Sequence, residues 1–235
     1  MIQACGALPS SNNGSAGRLV ADLLPPAPVP LSRHRKRLVI GDFYIRDVAS
    51  DGAFVYWVED PSSTVRKVSV NGGPIVTLAT GSGPASIIRL TPDYVYWLDH
   101  YDVVKRVSKN GGGVESVAGP VAGGLTDFVL DGAYVYLSEQ DGGVIGRVPL
   151  AGGAITTLVP SQPDQNRRLA IDATTLYWID QLQIGKVSIA GGPSHSVVLG
   201  GLGADPFVAP SIAVGATDLY WSEAASSLIR KATPK

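Results

Sequence analysis

Five acidic residues recur at nearly constant spacing: Glu59, Asp99, Glu139, Asp180 and Glu223. Five basic residues keep step with them: Lys67, Arg106, Arg147, Lys186 and Lys231. A ring of carboxylates could hold a cation, and paired acids could exchange protons with a substrate. The regularity argues for a scaffold instead. A catalytic carboxylate needs an environment of its own. One acid and one base per unit, on adjacent strands, is the pattern of cross-strand or inter-sheet ion pairs.

Residues that break the repetition are the better binding candidates. Asp47, Asp127, Arg167 and Arg168 sit near the beginnings of strands, and His100-Tyr101 stands in a loop. The pair places an amphipathic aromatic beside a titratable ring. Other chemistry is missing from the sequence. His34, His100 and His195 show no metal-ligand spacing, so neither a metal nor a cofactor is expected. There is no G-x-S-x-G elbow for a serine nucleophile, and no catalytic residue is assigned. The Gly-Gly pairs open no helix, so they form turns and not a phosphate loop.

The elements that must position these residues come from an internal repeat. Val55-Tyr56-Trp57 returns as Val95-Tyr96-Trp97, Val135-Tyr136-Leu137, Leu176-Tyr177-Trp178 and Leu219-Tyr220-Trp221. The tyrosines are 40, 40, 41 and 43 residues apart. A Gly-Gly pair follows each of the first four: Gly72-Gly73, Gly111-Gly112, Gly152-Gly153 and Gly191-Gly192. Each unit divides into four short strands, a to d. In the third these are residues 125–130, 133–138, 144–149 and 154–159, with an Asp131-Gly132 hairpin turn between a and b. Four antiparallel strands per roughly 40 residues predict an all-β chain, a five-bladed β-propeller. Strand b is apolar on both faces, as a sheet stacked between two neighbours requires. In such a ring the d–a and b–c loops gather at one mouth of the channel, where the irregular residues above would meet a ligand.

The end of strand b reads Tyr-Trp-x-acid as Tyr56-Trp57-Val58-Glu59, Tyr96-Trp97-Leu98-Asp99, Tyr177-Trp178-Ile179-Asp180 and Tyr220-Trp221-Ser222-Glu223, with Tyr136-Leu137-Ser138-Glu139 as the variant. This resembles the YWTD repeat of low-density-lipoprotein-receptor-type propellers, seen also in bacterial secreted proteins. The resemblance spans residues 44–235. It implies a structural role for the acid between blades. That family is commonly six-bladed, so the alternative is a six-blade-type ring that lacks a unit.

The fifth unit has strands a, b and c but no d. Residues 16–25 (AGRLVADLLP) match the d-strand segment 151–160 (AGGAITTLVP), so an N-terminal strand is expected to close the last blade. Residues 1–15 then form a tether, 26–43 a connector and 44–235 the propeller. Ile2-Gln3-Ala4-Cys5-Gly6 resembles a bacterial lipobox, which makes Cys5 a lipidation candidate and the expected location extracytoplasmic. Net charge is −1, from 19 basic and 20 acidic residues. A nucleic-acid partner is therefore not expected, and no apolar run has the roughly 18 residues of a membrane span. The expected function is a non-catalytic binding module for a protein or glycan. The alternative is an enzyme, a lyase or hydrolase, with a single site at the channel mouth.

Overall fold

A computed structural model of the chain describes residues 44–81, 83–160, 168–180, 183–199, 210–223 and 227–233, with Leu38 and Lys235. Residues 1–36 and 37–235 form two units, and the second carries everything below. The tether, the closing strand, Cys5 and Arg167 lie outside the described residues.

Nineteen strands and no helix are present among the described residues, in five antiparallel sheets. Sheet 1 holds β1 (Tyr44–Ser50), β2 (Phe54–Asp60), β3 (Thr64–Ser69) and β4 (Val76–Ala79). Sheet 2 holds β5 (Ala85–Leu90), β6 (Tyr94–Asp99), β7 (Val103–Ser108) and β8 (Glu115–Ala118). Sheet 3 holds β9 (Leu125–Leu130), β10 (Tyr134–Glu139), β11 (Ile145–Pro149) and β12 (Thr156–Val159). Sheet 4 holds β13 (Arg168–Ile171), β14 (Thr175–Ile179), β15 (Gln183–Ser188) and β16 (His195–Leu199). Sheet 5 has three strands, β17 (Ile212–Val214), β18 (Leu219–Glu223) and β19 (Leu228–Ala232). Within each sheet the strands pair in chain order, as hairpins dictate. The Gly-Gly turns have positive φ at both residues, +86° and +127° at Gly72 and Gly73, a conformation that other side chains resist.

Strand alternation gives each sheet two apolar faces, and one interface is made four times. Tyr56 and Val58 pack against Ile88, Val95 and Trp97 of sheet 2. Tyr96 and Leu98 meet Phe128, Val135 and Leu137 of sheet 3. Tyr136 and Ile145 meet Leu169, Leu176 and Trp178. Tyr177, Ile179 and Ile184 meet Leu219 and Trp221. The Tyr face of one sheet thus seals against the Trp face of the next.

The hairpin register moves the expected ion pairs by one residue. Lys67 stands opposite Tyr56 and so lies on the Tyr face, away from Glu59, which shares the other face with Trp57. Glu59 pairs with Arg66 at 3.1 Å, Asp99 with Lys105 at 2.5 Å and Glu223 with Arg230 at 2.6 Å. In sheets 3 and 4 the matching position opposite Leu137 or Trp178 is Gly146 or Gly185. Three of the five regular bases instead join one sheet to the next. Lys67 Nζ donates to Lys109 O at 2.6 Å, Arg106 Nη1 to Leu150 O at 2.6 Å, and Arg147 Nη1 to Ile189 O. Each also lies over an aromatic ring of its own sheet: Phe54, Tyr94 and Tyr134 respectively.

Candidate functional site

The first strands of consecutive sheets, β1, β5, β9, β13 and β17, contact one another in order. Residues from all five border one open hollow. One part, of about 370 Å³, is lined by Arg46, Asp47, Ile87, Tyr101, Thr126 and Arg168 among others. An adjoining part of about 310 Å³ shares Asp47, Ile87 and Arg168 and adds Arg89, Asp127 and Ile212.

Register explains why these side chains converge. Asp47 pairs with Val58, Asp127 with Ser138 and Arg168 with Ile179, which are matching positions on the b strands of sheets 1, 3 and 4. Asp47 and Asp127 do the same work in alternate sheets. Asp47 Oδ1 accepts from the Val48 N–H at 2.8 Å and Oδ2 from the Ile88 N–H of the next sheet at 2.9 Å. Asp127 Oδ1 accepts from the Phe128 N–H and Oδ2 from the Leu169 N–H of the next sheet, both at 2.9 Å. Arg89 bridges the two acids at 3.3 and 3.4 Å. Burial pushes the Asp127 carboxyl above its usual range, although the two backbone N–H groups and the charges of Arg89 and Arg168 pull it down.

Tyr101, Asp47, Arg168 and Asp127 are therefore brought together, as the sequence suggests. His100 is not among the residues lining the hollow. Its ring packs against Gly83, where a Cβ would come within 2.2 Å of Nε2, and its Nδ1 lies 3.2 Å from Asp99 Oδ2. His100 and Tyr101 both have positive φ, 53° and 61°, which turns their side chains in different directions from a single tight bend. Asp99 is buried. Burial would raise its pKa, but Lys105, the Ser63 hydroxyl and His100 lower it.

Sequence reasoning missed Arg46 and Arg89. Arg46 Nε pairs with Asp60 at 2.8 Å, and Nη2 reaches the Tyr101 hydroxyl at 3.4 Å. Arg89 had a visible signal: the same strand position holds Ala49, Val129, Ala170 and Ala213 in the other units. Another missed set is structural. The turn acids Asp51, Asp131 and Asp172, each five residues before the repeat tyrosine, accept its hydroxyl at 2.9, 2.7 and 3.3 Å. Two of them also reach the next sheet, Asp51 to Lys109 at 2.9 Å and Asp172 to Lys235 at 2.6 Å.

No family model and no curated protein matches the chain. Solved structures do. A nidogen/laminin complex matches at a TM-score of 0.63 with 17% identity, over 82% of this chain and 76% of that one. Selenomethionine-substituted virginiamycin B lyase from Staphylococcus aureus matches at 0.62 with 14% identity, over 80% and 69%. KlHsv2 with its loop 6CD replaced by a Gly-Ser linker matches at 0.61 with 12% identity, over 82% and 66%. The chain has a β-propeller fold. At these identities the likeness is one of fold, and sites on propellers vary independently of it.

Proposed function

We propose that this propeller is a non-catalytic interaction module that presents its loop mouth to a protein or glycan. The observation that carries the reading is the state of the charged groups in the hollow. Asp47 and Asp127 are held by backbone N–H groups of their own and the next sheet, and Arg89 ties them to each other. Such acids fasten the scaffold and leave the mouth to shape and hydrogen bonding. Among the described residues no group of three His, Cys, Asp or Glu could hold a metal ion. The nidogen/laminin structure is itself a complex, which supports a protein as the partner class and an extracytoplasmic setting.

The test is a combined glycan and peptide array probed with wild-type protein and the His100→Ala, Tyr101→Ala double variant. A ligand bound by the first and lost by the second supports the reading. No ligand on any array contradicts it. The enzyme reading, a lyase or hydrolase, rests on Asp127, a buried carboxyl with a raised pKa beside two arginines. It requires turnover that Asp127→Asn abolishes while the fold stays intact.

The blades are of YWTD type in this reading, with the acid after the Trp fixing its face. Five repeats support five blades. The exposure of Val48 in sheet 1 and of Tyr220 and Ile229 in sheet 5 favours the alternative, a ring of six-blade type. Residues 16–25 are proposed as the outermost strand beside β19. Removing residues 1–25 then lowers the unfolding midpoint and promotes self-association, and removing 1–15 does neither. Equal melting of both truncations and the full chain overturns the closing strand. Acylation of Cys5 is tested by mass spectrometry of membrane-fraction protein carrying a complete signal peptide, and an unmodified N-terminus overturns it.

A further inference from the structure

The hollow has a donor surplus. Its acids have their oxygens engaged, and Arg89 is spent between them. Arg168 is different. It is half-buried and lines both parts of the hollow. Its Nη1 donates to Thr126 O at 2.9 Å, and it forms no ion pair with a described residue. A guanidinium carries five N–H donors, and among the described residues Arg168 spends one on this bond while its charge also acts on Asp127. Tyr101 lines the same part, and its hydroxyl oxygen already accepts from Arg46 Nη2, which leaves its O–H to donate outward. The Tyr101 backbone is fixed at positive φ, and its carbonyl accepts from the Leu125 N–H at 2.6 Å.

A site rich in free donors and poor in free acceptors selects a ligand group that only accepts. A carboxylate is such a group, and its two oxygens match the fork of an arginine. The geometry points to a carboxylate seat between Arg168 and Tyr101, with Arg46 supplying further positive charge. This rests on the interaction-module reading and gives it a ligand chemistry: a small organic acid, or an acidic side chain carried by a peptide. A cation is disfavoured because Arg46, Arg89 and Arg168 outnumber Asp47 and Asp127 around the hollow.

The test is an NMR titration of the full chain with succinate, with its neutral diamide, and with a blocked Glu-containing tripeptide. Arginine Nε–H and backbone signals report the site. Succinate or the tripeptide is expected to shift Arg168 Nε–H and the Tyr101 amide, while the diamide leaves them unmoved. The response to free acid against tripeptide identifies the source. Arg168→Gln is expected to weaken binding at least about tenfold, the effect of losing a charge-assisted pair. Arg168→Lys should fall between. Tyr101→Phe, which keeps the ring, should weaken binding a few-fold and serves if Arg168→Gln melts early. Equal shifts with the diamide, or wild-type affinity in both variants, overturn the seat. An array ligand that binds Arg168→Gln unchanged overturns the seat and leaves the module reading standing. A chain that turns over a substrate and binds nothing else overturns the module reading.

Discussion

Ile184 and Ile229 occupy the same place in consecutive sheets. Each is on strand c, opposite the residue two positions after the repeat tyrosine. Ile184 is fully buried, as are Val65, Val104 and Ile145 at the same place, whereas Ile229 is 76% exposed. The tyrosines agree: Tyr220 is 38% exposed and the other four are at most 2%. At the opposite end Val48 is 58% exposed, where Ile88, Phe128 and Leu169 are sealed. The strands are equally apolar in every case. Burial at these positions is therefore conferred by the neighbouring sheet. The Tyr face of sheet 5 is bare because no described sheet follows it. Lys231 shows the same thing: with no described turn of a following sheet to reach, it pairs at 3.2 Å with Asp218 of its own sheet.

That contrast can be pressed by substitution. Next to truncating Ile184 itself, the largest effect is expected at Gly185, inside a sealed interface. A Cβ there would lie 2.1 Å from the Trp178 ring. Gly185→Ala should cost about 1–3 kcal/mol in urea denaturation, the range for overpacking. Gly132→Ala, where nothing lies within 4 Å, is its control and should change little. A small loss at Gly185 would mean that the Trp faces are loosely packed.

Asp172 joins sheet 4 to Lys235, so its removal loosens the join to the last unit. Asp172→Asn should cost about 1 kcal/mol at pH 7, the scale of one charge-assisted bond. Burial alone would raise the Asp172 pKa, but Lys235 and the Thr174 and Thr175 N–H groups hold it at about 2. A lowered carboxyl contributes stability above its unfolded pKa of about 4, and that contribution is lost as pH falls through the folded value. The wild type should therefore lose stability more steeply than Asp172→Asn between about pH 4 and pH 2. Parallel pH profiles would show that the pair adds nothing.

The smallest effect is expected at Glu139. Burial raises its pKa, and Gly146 stands where sheets 1, 2 and 5 have a base. A raised carboxyl loses stability as pH rises from its unfolded value through its folded one. Glu139→Gln should accordingly gain a few tenths of a kcal/mol at pH 7 and nothing at pH 3, a shift within the ~0.5 kcal/mol of mild substitutions. A loss at pH 7 would place an unrecognised partner on the carboxylate.

The sheets were legible in the sequence because five repeats average out local ambiguity, and two-sided hydrophobicity in strand b told of stacking. The ion pairs were read one residue off, because matching units to each other does not give hairpin register. Only the observed pairing of Tyr56 with Lys67 shows that Lys67 turns away from Glu59. Asp47, Asp127 and Arg168 were named for their place beside the least repetitive loops, and the structure sets them around one hollow, while Arg89 was passed over although it replaces Ala or Val. The parting of His100 from Tyr101 was not legible, because the tight bend between them leaves no mark in a pair of adjacent letters.

A matched pair of truncations tests the repeated Tyr-to-Trp interface. Ile184→Ala and Ile229→Ala remove the same atoms from equivalent places and are compared by urea denaturation at several protein concentrations. Burial by the neighbouring sheet predicts a loss of about 2–5 kcal/mol for Ile184→Ala, the cost of emptying a sealed core site. For Ile229→Ala it predicts less than about 0.5 kcal/mol, the cost at a surface site. Equal losses would contradict it, because they would show Ile229 covered in solution by a sheet that the described residues do not supply.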